Sequence, residues 1–127
     1  VNLLRDAVRE LHKSEIEVSL FIEPEIDQID AAAEIEADFI ELHTGVFANA
    51  LSEEEQFDEL DKIRLGAKHG KKVGLGVNAG HGLNYQNIKI FRELSDIDEV
   101  SIGHAIIARS LFVGIPEAVN QMIRLIR

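Results

Sequence analysis

In the stretch VGLGVNAGHGLNY, Val73 to Tyr85, a strand-like run ends in a histidine, His81, held between Gly80 and Gly82. An imidazole gains and loses a proton near neutral pH, so one projected from a strand end suits a proton donor or acceptor. The flanking glycines let the backbone turn sharply and come close to a ligand. The plainer account is a glycine-rich turn in which the histidine only caps a carbonyl. A second segment, FIELHTG, Phe39 to Gly45, sets Glu41 and His43 two residues apart on one strand face. Its plain account is a structural ion pair, with His43 at most orienting the carboxylate. A third, SIGHAIIARS, Ser101 to Ser110, ends a strand at Gly103 and His104 and runs straight into a helix. Unpaired N–H groups and the helix dipole at such a junction attract an anion such as phosphate, although a glycine there can also serve tight packing alone. The five histidines lack zinc-like spacing, so no metal is expected. His12 and His69 sit near helix ends, where solvent exposure is the simplest account.

The elements that must carry these groups follow from periodicity. Val1, Leu4, Val8 and Leu11 form one stripe of an amphipathic helix. IEVSLFIE reads as the first strand, PEIDQIDAAAEIE as a helix through Ile26, Ile29 and Ala33, and DFIELH as the second strand. Ser52 and Glu55 form a capping-box signature for a helix carrying Phe57, Leu60, Ile63 and Ala67, with Gly70 as its stop. KKVGLGV is the third strand, Asn84 caps a helix with Ile88, Phe91 and Leu94, and DEVSIGH is the fourth strand. A short helix from about Ala105 follows. Gly114 and Pro116 then punctuate the chain before a last helix striped by Val119, Met122, Ile123 and Ile126.

This order, a helix followed by four strand-helix units, predicts a parallel α/β sheet. Ile40, Leu42, Val73, Leu75, Val77, Val100 and Ile102 make one strand face greasy, while Glu41, His43, Gly74, Gly76, Asn78, Ser101 and Gly103 make the other small or polar. An open doubly wound sheet is apolar on both faces, whereas a barrel interior turns polar near its top, so a barrel wall is expected. A (β/α)8 TIM barrel takes about 250 residues, and 127 residues therefore hold roughly half of one. A start at Val1 without Met fits an incomplete chain. Glu41 and His81 are then the groups expected to act on substrate, with His43 and Asn78 supporting them.

Composition bounds the class. The chain is 46% hydrophobic and 28% charged, as in ordinary globular domains, and carries no cysteine. Its net charge of −10 argues against nucleic acid as a partner, and no apolar run approaches a bilayer span. A cytoplasmic protein without a membrane partner is expected.

Taken together, VSLFIEP, FIELHTGVFANA, VNAGHGLNY and SIGHAIIARSLFVGIPEAV resemble the second half of the pyridoxine 5′-phosphate synthase family, from about Val18 to the C-terminus. Four separated segments match in order. The resemblance implies a (β/α)8 barrel that condenses 3-amino-2-oxopropyl phosphate with 1-deoxy-D-xylulose 5-phosphate, releasing phosphate and water, and that assembles as a homo-octamer without a cofactor. It implies His81 as proton donor, Gly82 as a contact to deoxyxylulose phosphate, Gly103 and His104 as the seat of the amino-ketone phosphate, and Glu41 as the carboxylate that stabilises the transition state. The family's other general bases belong to the absent first half, so this chain alone is expected to be inactive. Other phosphate-binding barrels, of epimerase or indole-forming synthase type, share the last-strand phosphate site but lack the NAGHG turn. A non-catalytic half-barrel would give Glu41, His43, His81 and His104 no reason to converge.

Overall fold

The computed structural model describes residues 2–127. The first stripe position, Val1, lies outside them. Four parallel strands, β1 (Ser19–Ile22), β2 (Phe39–His43), β3 (Gly76–Gly80) and β4 (Glu99–Ser101), form one sheet in the order β1-β2-β3-β4. Among the described residues six helices accompany it: α1 (Asn2–His12), α2 (Ile26–Glu34), α3 (Gly45–Asn49), α4 (Glu53–Lys72), α5 (His104–Val113) and α6 (Ile115–Ile126). A 3₁₀ helix, Ile88–Glu93, follows β3. The expected alternation of parallel strands and helices is therefore present. Among the described residues no helix is long and apolar enough to cross a membrane.

The core lies on the greasy face of the sheet. Ile40, Leu42, Val77 and Ala79 are fully buried there, against Ile29 of α2 and Ile63 and Ala67 of α4, with Ile88, Phe91 and Met122 closing the far side. The opposite face displays Phe21, Glu41, His43 and Asn78. Phe21 is 57% exposed on it.

Several boundaries differ from those that periodicity predicts. Gly70 does not stop α4, which continues to Lys72. A Cβ on Gly70 would lie 2.8 Å from Val77 Cγ2 and 3.1 Å from Ile40 Cδ1, so this glycine permits close approach of helix to sheet. The chain turns at Gly74 instead, at φ +89°. β3 consequently begins at Gly76, near the end of KKVGLGV. β1 keeps only the middle of IEVSLFIE, and β4 ends before Ile102. Helix α3 has no counterpart among the predicted elements. The segment after Asn84 is 3₁₀ rather than α, and Asn84 Oδ1 accepts from Gln86 N at 2.9 Å and Asn87 N at 3.1 Å ahead of it. The Ser52 capping box is half built: Ser52 Oγ accepts from Glu55 N at 3.1 Å, but Glu55 reaches back to Leu51 N at 2.8 Å, one residue before the cap. In α1 Val8 is buried while Leu4 and Leu11 stay largely exposed, and in α6 burial falls on Ala118 and Met122 more than on Ile123 and Ile126. His12 and His69 are not simply solvated. Their side chains are 34% and 22% exposed and pair with Asp38 at 2.8 Å and Asp30 at 2.6 Å, because α1 and α4 turn their C-terminal ends toward those carboxylates.

Two aspartates fix the N-terminal ends of the strands in the same way. Asp38 N donates to Val18 O at 3.0 Å while Asp38 Oδ2 accepts from Val18 N at 2.7 Å. Asp98 N donates to Val77 O at 2.7 Å while Asp98 Oδ2 accepts from Val77 N at 2.9 Å. The His12 ring and the Lys71 ammonium complete the two sites as hydrogen-bond partners. The Val18 amide and then His12 hold the Asp38 carboxyl below its usual range, and Lys71 and then the Val77 amide do so for Asp98. A lowered carboxylate pKa contributes stability above the unfolded value of about 3.9, and that contribution disappears as pH falls through the folded value. Asp38→Asn and Asp98→Asn are therefore expected to cost about 1 kcal/mol each at pH 7, at the lower end for charged hydrogen bonds because both groups are partly exposed. The cost should fade as pH drops below about 3.9 in urea titrations run across pH. A pH-independent cost would show that the carboxylate's charge does not carry the contact.

Candidate active site

The C-terminal ends of β2, β3 and β4 gather the predicted residues. Register places Glu41 opposite Asn78 and His43 opposite Gly80, so strand parity alone sends Glu41, His43 and Asn78 to the polar face. Gly80 is opposite Ser101, and Ser101 Oγ donates to Glu41 Oε2 at 2.8 Å across β3. Glu41 is thus held by a hydroxyl rather than by a basic group. A Cβ on Gly80 would sit 2.2 Å from Glu41 Oε1, which is why the carboxylate can lie over that strand. Gly80 therefore provides space, and the turn itself falls to His81 and Gly82.

His81 and Gly82 both take left-handed backbone, φ +85° and +75°. For a residue with a Cβ this costs roughly 1 kcal/mol or more. The His81 imidazole does not pack flat on the turn. It meets His43 edge to face, with ring centroids 5.1 Å apart, and His43 meets Phe21 in the same manner at 5.2 Å. His43 does not orient Glu41. Its Nδ1 lies 2.7 Å from Glu23 Oε1, one strand away, because Glu23 follows the end of β1.

On the other side of His81 a cleft of about 730 Å³ opens between the β3 and β4 ends, lined by His81, Gly82, Asn84, Ser101, Gly103 and His104. Gly103 precedes α5, and a Cβ built on it meets nothing within 4 Å. Tight packing is therefore not its reason. The first helical bond of α5 runs from Ile107 N to Gly103 O at 3.0 Å, so the N–H groups of His104, Ala105 and Ile106 precede the hydrogen-bonded ladder, and His104 and Ala105 line the cleft. Asn78 Oδ1 is buried on the polar face without a hydrogen-bond partner.

A family model described as Pyridoxal phosphate biosynthesis protein PdxJ matches residues 1–127. The chain belongs to this family. It is 53% identical over 125 residues to the pyridoxine 5′-phosphate synthase of Chlorobium phaeobacteroides, covering 98% of this chain and 53% of that protein. It is 60% identical over 111 residues to the synthase of Chlorobium luteolum, covering 87% of this chain and 47% of that protein, and 46% identical over 124 residues to that of Geobacter sulfurreducens, covering 98% and 52%. The chain spans about half the length of these PdxJ relatives.

Three neighbours of the predicted groups are not marked as site residues by the sequence: Glu23, Thr44 and Ser101. Ser101 carries a signal, since it continues the polar alternation of β4. Glu23 and Thr44 do not, because their partners lie 20 and more than 35 residues away.

Gly80→Ala tests the packing of Glu41. The closest obstructed atoms belong to the flexible Glu41 carboxyl, which can swing aside, while Ser101 Cβ at 3.1 Å has to give by a few tenths of an ångström, so folding should change by about 1 kcal/mol, one hydrogen bond partly offset by reduced unfolded-chain freedom. Urea denaturation should show that small change, and a crystal structure of the variant should show Glu41 off Ser101. Glu41 unmoved on Ser101 would contradict the close approach of its carboxylate to Gly80.

Proposed function

We propose that this chain forms the C-terminal half of the (β/α)8 barrel of a pyridoxine 5′-phosphate synthase, which condenses 3-amino-2-oxopropyl phosphate with 1-deoxy-D-xylulose 5-phosphate and releases phosphate and water. The observation that carries this reading is the convergence of His81, the Glu41–Ser101 pair and the Gly103–His104 helix start at neighbouring strand ends, in a family whose curated relatives bear that name. Such a ring closure needs imine formation, proton transfers and two eliminations, and each calls for a different part of this constellation.

In this reading the free N–H groups at His104 to Ile106 and the His104 imidazole hold the phosphate of the amino ketone, an anion in an otherwise acidic chain. His81, exposed at the cleft, donates the proton, while Gly82 lets the deoxyxylulose phosphate approach the backbone. Glu41, fixed by Ser101, faces positive charge that develops as the imine forms. Asn78 Oδ1 offers an acceptor beneath them. The remaining bases would come from the absent first half, so this chain alone would lack activity. Exposed Phe21, Leu111 and Phe112 support a fold completed by further structure, and the complete enzyme would be a cytoplasmic homo-octamer by family resemblance.

Inorganic phosphate titrated into the chain should shift the amides of Gly103, His104 and Ala105; shifts confined to another surface would count against the anion seat. In the complete synthase, His81→Asn and Glu41→Gln are each expected to lower kcat by roughly 10²-fold or more. His104→Ala should instead raise KM for the amino-ketone phosphate, because a phosphate grip forms in ground and transition states alike. Near-normal kcat in both His81→Asn and Glu41→Gln would sink the proposal.

A further inference from the structure

Among the described residues Thr44 is the fully buried polar side chain, and its partners are not in its own element. Its Oγ1 lies 2.7 Å from Gly80 O and 2.6 Å from His81 O. Its backbone N–H already donates to Gly80 O at 2.9 Å. A hydroxyl has one proton, and the Gly80 carbonyl is served by that amide, so the proton is left for His81. The β2–β3 ladder ends at the pairing of His43 with Gly80. Thr44 therefore extends the link one residue past the sheet, to the point where the chain turns left-handed at His81.

Gly82 can take that conformation unaided, but His81 carries a Cβ and needs a restraint. The two residues beside Thr44 act on the imidazole itself. His43 meets it edge to face, and Gly45 leaves it room: a Cβ there would lie 3.0 Å from His81 Cδ2 and 2.4 Å from His43 Nε2.

We propose that Thr44 is a positioning residue for His81, its hydroxyl holding the His81 carbonyl so that the left-handed backbone turns the imidazole onto His43 and over the cleft. Its consequence for turnover rests on the reading of His81 as proton donor; the geometry does not.

The test uses this chain labelled with ¹⁵N and ¹³C in its five histidines. A left-handed residue shows a strong intraresidue amide-to-Hα cross-peak, and His81 should show it in the parent and in Thr44→Ser. Thr44→Val fills the same space without a proton and should lose it, together with the His81–His43 ring contacts, while His12 and His69 remain unchanged. The cross-peak absent from the parent, or retained in Thr44→Val, would overturn the proposal. Should Thr44→Val collapse the His12 and His69 signals to unfolded positions, Thr44→Cys decides in its place: its thiol is a weak donor of similar size, so the His81 cross-peak should weaken, and an undiminished one would overturn the proposal. In the complete synthase Thr44→Val should then lower kcat roughly tenfold or more at unchanged KM, with Thr44→Ser restoring it. A lost cross-peak with normal kcat would overturn the proton-donor role of His81 and leave its seat standing.

Discussion

Everything at the candidate site depends on the register of β2 against β3. Ile40 and Leu42 pair with Val77 and Ala79, and all four are fully buried under α2 and α4. Because side chains alternate, that burial sends Glu41, His43 and Asn78 to the other face. A slip of one residue would expose core side chains and bury Glu41 and His43, so the hydrophobic term holds the polar row in place. The groups proposed to do chemistry are thus positioned by residues that take no part in it.

Space on the polar face is allocated by glycine. The three large side chains of β2 each lean over a position where a Cβ would collide: Phe39 over Gly76, Glu41 over Gly80 and His43 over Gly45. These collisions differ in kind. A ring or an imidazole wedged between neighbours has few ways to yield, whereas the Glu41 carboxylate can rotate into open space. Gly76 and Gly45 therefore serve packing and His43 placement, while Gly80 chiefly sets where one carboxylate points. The same residue type, spaced along two strand ends, does two jobs.

Much of this is legible in the sequence because it is local. Alternation in FIELH and GVNAG assigns both strand faces, and the glycine-flanked histidine and the strand-to-helix Gly103 mark the turns. What stays hidden depends on contacts between distant residues. Gly70 resembles a helix stop because its packing partners, Ile40 and Val77, lie on strands that the sequence does not place beneath it. Thr44 resembles an ordinary strand-end residue because its acceptors come 36 and 37 positions later. Proximity in sequence ties His43 to Glu41, yet its ring nitrogen bonds Glu23, which follows the neighbouring strand. The α3 turn has too few residues to show a period.

The two ends of the sheet divide the work. At the N-terminal ends, Asp38 and Asp98 each close a pair of adjacent strands through both backbone groups of the partner residue, backed by the His12 ring of α1 or the Lys71 ammonium of α4. Those charges are satisfied and turned away from the cleft. At the C-terminal ends the first N–H groups of α5 precede their ladder and His81 occupies a costly backbone region, while midway along β3 Asn78 Oδ1 has no partner. Unspent hydrogen-bonding capacity and local strain are tolerable only where the rest of the sheet is firmly held. The carboxylates at the bottom therefore help hold the sheet whose strand ends at the top keep unpaired groups and local strain.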